Sequence, residues 1–179
     1  MFTHRFCNIV VNLRPRFLAG AISGLAILLS TAPFSPAQGP VAWWQFDEAD
    51  GTESADSSGN GHDGTLHGDA VFEPEGGRFG GAVSLDGDGD YVEVPDADEL
   101  EFPAGQDYSI SLFYNGPPTN TNDGLVSKGY ADNPRSPDGY YLLQVTSSGS
   151  YEFDSRCCSG GTPRVRSGQV GPSIVDGEW

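Results

Sequence analysis

Basic residues are scarce in this 179-residue chain: nine Lys and Arg face 25 Asp and Glu. A formal charge of −16 at pH 7 argues against a nucleic-acid or anionic-lipid partner, because phosphate binding depends on clustered Lys and Arg. Cysteine is equally thin, with Cys7 near the N-terminus and only the adjacent pair Cys157-Cys158 beyond it. Neighbouring Cα atoms lie about 3.8 Å apart, below the roughly 4.4–6.8 Å usual for a disulfide. Three readings stay open for Cys157 and Cys158: a strained vicinal disulfide, two loop thiols, or one Cys joined to another chain. The pair has no C-x-x-C spacing and no second half-site, which argues against zinc. A sustained 3.6-residue apolar period is missing, as are internal repeats, so helical bundles and coiled coils are disfavoured.

The N-terminal stretch stands apart from the rest. Arg5, Arg14 and Arg16 precede an apolar run over residues 17–29, and Ser35-Pro36-Ala37 puts small residues at −3 and −1 before Gln38. That order predicts a secretory signal peptide over 1–37, outside any fold, with residues 38–179 as one domain. The run is shorter than the about 20 apolar residues that a spanning helix needs, so no membrane insertion is expected after cleavage. The processed chain would keep six basic residues against all 25 acids. Such a surface suits a secreted, extracytoplasmic protein and attracts divalent cations.

Past residue 38, short apolar or alternating runs sit between Gly, Pro, Asn and Asp. Strands are predicted at 41–46, 64–67, 70–73, 82–85, 91–94, 108–114, 124–128, 140–145 and 151–154, with 162–166 weaker. Val92 and Val94 share one face opposite Tyr91 and Glu93, and Ile110 and Leu112 oppose Ser109 and Ser111. A sheet buried on one side gives this pattern. Asp86-Gly87-Asp88-Gly89-Asp90 reads as a hairpin loop. The expected fold is an all-β antiparallel sandwich or barrel.

Several pieces also agree in their order: Trp44-Gln45-Phe46-Asp47-Glu48, Asp56-Ser57-Ser58-Gly59-Asn60-Gly61, Gly80-Gly81-Ala82-Val83-Ser84-Leu85-Asp86-Gly87 and Asp90-Tyr91-Val92-Glu93-Val94-Pro95. Tyr108-Ser109-Ile110-Ser111, Leu125-Val126-Ser127-Lys128-Gly129 and Asp176-Gly177-Glu178-Trp179 continue the series. Together they resemble the laminin-G-like jelly roll of the concanavalin A-like lectin/glucanase superfamily. The resemblance implies a β-sandwich that serves as a carbohydrate-binding or adhesion module of secreted proteins, with an extracellular protein as the other partner class. It also implies further strands after a segment like 176–179. On that comparison the domain is expected to be C-terminally incomplete, a fragment of a larger secreted protein. Phe113-Tyr114 stands where such domains usually carry Trp.

The chemistry-bearing candidates are few. In the loop 56–63, Asp56, Asn60 and Asp63 offer side-chain oxygens, and Gly59 and Gly61 let backbone carbonyls turn inward. The resemblance implies calcium near this loop, together with a late acidic ligand that the chain does not supply. The rival reading of Asp56 and Asn60 is simple Asx turns. The run 86–90 begins like an EF-hand, but its sixth position is Tyr91 and its twelfth Ala97, so the pattern fails. Glu48, Asp50 and Glu53 match the E-x-D-x-x-E of laminarinase-like glucanases, the alternative function. Their spacers Ala49, Gly51 and Thr52 do not hold the strand that a retaining carboxylate pair requires. His62 and His67 are expected as loop histidines, and one of Trp43 and Trp44 as a core residue. The sequence thus predicts a non-catalytic binding module.

Overall fold

The computed structural model describes residues 4–14, 39–102, 106–116, 122–129, 140–147 and 150–156. These residues form an all-β fold of β-sandwich character, with one 3-10 turn at Asp98–Leu100 and antiparallel pairing throughout. The strands are β1 (His4–Arg14), β2 (Ala42–Trp44), β3 (Glu53–Ser54), β4 (Gly64–His67), β5 (Val71–Glu73) and β6 (Ala82–Leu85). They continue as β7 (Tyr91–Glu93), β8 (Asp107–Asn115), β9 (Asp123–Lys128), β10 (Tyr140–Val145) and β11 (Tyr151–Arg156). A five-stranded sheet combines β1, β2, β5, β6 and β8; two three-stranded sheets follow the orders β3-β4-β7 and β9-β10-β11.

Alternation explains which faces are buried. Ile110 and Leu112 pack on the core while Ser109 and Ser111 are exposed. Val92 and Val94 pack inward, and Tyr91 and Glu93 face solvent. The core gathers Val11, Trp44, Phe46, Leu66, Val83 and Leu100. Each large apolar side chain buried there contributes about 1.5–3 kcal/mol. A second aromatic group ties β8 to β10 and β11: Phe102 stacks on Tyr108 at 4.1 Å, and Tyr108 meets Tyr141 and Phe153 at 6.1 Å.

Two expectations need correction. The strand predicted over 41–46 ends at Trp44, because Phe46 adopts a left-handed backbone with φ 58°. That conformation costs about 1–3 kcal/mol in a bulky residue and persists only when neighbours enforce it. Here a Cβ at Gly81 would lie 2.0 Å from the Phe46 carbonyl oxygen, so only glycine admits the contact. Asp47 Oδ1 accepts the Gly81 N–H at 2.6 Å and fastens the bend. Next, 86–90 is not a hairpin: β6 pairs with β5 and β1, whereas β7 pairs with β4 in another sheet. The segment crosses between sheets.

Residues 4–14, within the expected leader, form strand β1 of the five-stranded sheet. β8 runs along one edge of β1, and β6 and β2 share the other. The β-branched run Ile9-Val10-Val11 suits a strand, and Val11 is 2% exposed within the core. The expected strand 162–166, the segment 176–179 and the pair Cys157-Cys158 lie outside the described residues.

Candidate functional site

Asp56 and its neighbours form a closed hydrogen-bonded knot. Asp56 Oδ1 accepts the backbone N–H groups of Trp43 (2.9 Å) and Ser58 (2.8 Å). Its Oδ2 accepts the Ser58 hydroxyl (2.7 Å) and the His62 N–H (3.0 Å). Desolvation pushes this carboxyl up, but the hydrogen bonds from Ser58, Trp43 and His62 outweigh it and hold the group below the usual carboxylate range. Asn60 donates through Nδ2 to the Val41 carbonyl at 2.8 Å, and Asp63 Oδ1 accepts the Asp56 N–H at 2.7 Å. The loop thus engages Asp56, Asn60 and Asp63 in hydrogen bonds of its own. It turns donors toward the very oxygens that a cation would need. His62 is buried in the same knot, and its carbonyl accepts Trp44 Nε1–H at 2.7 Å.

A second acidic group lies where two sheet-crossing connections meet. Asp69 sits between β4 and β5, and Asp86 and Asp90 bound the crossing from β6 to β7. Ligand oxygens of all three lie within 4.8 Å of one another. Oxygens no farther apart than this could share one calcium ion, whose Ca–O distances of about 2.3–2.6 Å put opposite ligands at most roughly 4.6–5.2 Å apart. Asp90 holds the junction together, accepting the Asp69 N–H through Oδ1 and the Asp86 N–H through Oδ2, both at 2.9 Å. The backbone N–H of Asp86 leads the causes that keep the Asp90 carboxyl low. Asp69 is pushed up, first by its side-chain contact with Asp90 and then by the charges of Asp90 and Asp86. Gly68, with φ +77°, admits the close approach: a Cβ there would lie 2.2 Å from Asp90 Oδ1.

Asp90 also borders a cleft of about 490 Å³ between the sheets. Trp44, Phe46, Leu125 and Tyr141 give it apolar walls, and Asp96 and Lys128 form an ion pair on its border. Lys128 draws the Asp96 carboxyl below its usual range. Burial, with Tyr108 nearby, pushes the Tyr141 phenol up to about 12, so it stays a neutral hydroxyl. The volume falls within the roughly 300–1,000 Å³ of small-ligand sites, which combine apolar walls with a few polar groups. Beside it, the half-exposed Tyr91 stacks on His67 at 4.5 Å, and His67 Nε2 lies 3.0 Å from Glu93 Oε2.

Glu48, Asp50 and Glu53 are distributed differently. Glu48 Oε1 accepts the Ala55 N–H at 2.8 Å, Asp50 lies exposed in the loop after β2, and Glu53 is exposed on β3. Sequence reasoning weighed 86–90 but missed Asp69. The Gly68-Asp69 turn was its only local signal, and only tertiary structure brings it to Asp90. Comparison with family models, curated proteins and solved structures finds no match to this chain.

Proposed function

We propose that the chain is a secreted, non-catalytic, carbohydrate-binding module of the laminin-G-like, concanavalin A-like jelly-roll type, assisted by calcium at Asp69, Asp86 and Asp90. The observation that carries this reading is the aromatic-walled cleft with its carboxylate border, beside the exposed Tyr91. Sugars present apolar C–H faces to aromatic rings and hydroxyls to carboxylates and cations, and this border offers both kinds of group. Glu48, Asp50 and Glu53 do not line the cleft, which supports a binding role there over glycoside hydrolysis, a reaction that needs two carboxyls about 5–9.5 Å apart across one bond.

The test is a glycan array probed with the full chain in calcium and in chelator. Binding to a restricted set of glycans, weakened in chelator and by Tyr91→Ala, is the expected result. Absence of glycan binding in both conditions would remove the carbohydrate reading. Adhesion to an extracellular protein is the second reading, favoured by one surface feature. Phe79 and Phe113, exposed at 61% and 40%, meet edge-on at 5.3 Å, with the Arg78 guanidinium over the Phe79 ring.

A further inference from the structure

The chain has two Asn-Gly steps, Asn60-Gly61 and Asn115-Gly116. An asparagine loses its amide most readily before glycine, because the glycine nitrogen has no neighbouring side chain to keep it from the Asn side-chain carbonyl. The fold treats the two steps differently. Asn115 closes β8, where it lies opposite Arg5 in the ladder, and Gly116 is buried. Asn60 and Gly61 are both exposed in the loop 56–63. Gly61 has φ +82°, with no atom within 4 Å of the place a Cβ would take. Among the described residues nothing accepts its N–H. Asp63-Gly64 closes the same loop in the opposite condition: Gly64 is buried and paired with Ser54, and a Cβ there would lie 2.9 Å from Val92.

We propose that Asn60 is a site of spontaneous deamidation and that the fold spares Asn115. The Gly61 nitrogen gives up its proton to base and attacks Asn60 Cγ. The new C–N bond closes a five-membered succinimide, the Cγ–Nδ2 bond breaks, and the amide takes up a proton and leaves as ammonia. Water then opens the ring at either carbonyl, giving aspartate or isoaspartate. The net change converts amide and water to carboxylate and ammonium. Asn60 Nδ2 clasps the loop to the start of β2, donating to the Val41 carbonyl at 2.8 Å and the Pro40 carbonyl at 3.3 Å. A carboxylate has no donor to offer and turns negative oxygen toward both carbonyls. It also adds charge to a loop that already carries Asp56 and Asp63. The reaction therefore loosens the Asp56 knot from residues 40–41. The inference does not rest on the sugar-binding reading, since it concerns neither the cleft nor the acidic junction.

The test is to age the full chain in mildly alkaline buffer and follow it by peptide mass spectrometry and by melting temperature. Asn60 should convert with first-order kinetics, faster at higher pH, and at least tenfold faster than Asn115. In denaturant the two should convert at comparable rates. The melting temperature of the aged chain should fall with conversion and approach that of Asn60→Asp. Asn60→Gln, whose longer side chain cannot close the five-membered ring, should hold its own melting temperature through the same treatment. An Asn60 that keeps its amide in the folded chain, or an Asn115 that converts as fast, would overturn the proposal. A preference for Asn60 that persists in denaturant would do so too, because the fold would then not make the choice. So would a melting temperature that stays level after Asn60 has converted, or one that falls equally in Asn60→Gln.

Discussion

The chain builds two acidic loops from the same residue type, and they behave in opposite ways. Around Asp56, one carboxylate meets four donors, and its charge is stabilised within the protein. At the junction of Asp69, Asp86 and Asp90, three carboxylates meet one another, and part of their charge stays uncompensated. An aspartate count does not separate the two. Backbone N–H groups reach carboxylates in both; what separates them is that the junction also sets three carboxylates against one another. The first loop stabilises its charge internally, and the second is the proposed cation site.

The comparison breaks most readily at Asp56. Asp56→Ala would leave the N–H groups of Trp43, Ser58 and His62 without this acceptor, while the Ser58 hydroxyl keeps the Val41 carbonyl at 3.1 Å. Each buried group left unpaired costs about 1–3 kcal/mol, so a loss of roughly 3 kcal/mol or more is expected in denaturant unfolding. The pH dependence follows from the same contacts. Because the folded Asp56 carboxyl is held below its ordinary 3.8, its contribution is present above that value and is lost as pH falls through the lowered one. The variant should therefore lose part of the wild type's acid sensitivity. Asp69 has the reverse sign: raised in the fold, it favours stability at low pH and opposes it as pH rises through its folded value.

Gly68→Ala should act more weakly on stability, yet directly on the junction. The left-handed backbone and the clash with Asp90 Oδ1 together cost about 1–3 kcal/mol. The carboxylates should be pushed apart, and any response to calcium should fall with them. Thermal melts of wild type and variant, each with calcium and with chelator, measure both effects.

Much of this architecture is legible from local pattern. The strands 64–67, 82–85 and 140–145 have the bounds that alternation predicts. The inward faces of 91–94 and of 109–112 are read correctly because a half-buried sheet repeats every two residues. Legibility fails where distant segments decide. Phe46 looks like strand until Gly81 presses on its carbonyl. The run 86–90 looks like a hairpin because spacing does not reveal that its flanking strands pair elsewhere. Asp69 lies 21 residues from Asp90, and no periodicity connects them. Residues 4–14 carry both a leader's arginines and a strand's β-branched core, and composition alone does not rank the two.

The central claim is that the cation-responsive site is the junction and not the Asp56 loop. Calcium-dependent melting of wild type and Asp69→Asn tests it most directly. The wild type should gain melting temperature saturably with calcium. Asp69→Asn should melt slightly higher than wild type in chelator, through relief of repulsion, and should gain nothing from calcium. A wild type indifferent to calcium, or an Asp69→Asn chain that gains as much as the wild type, would contradict the account.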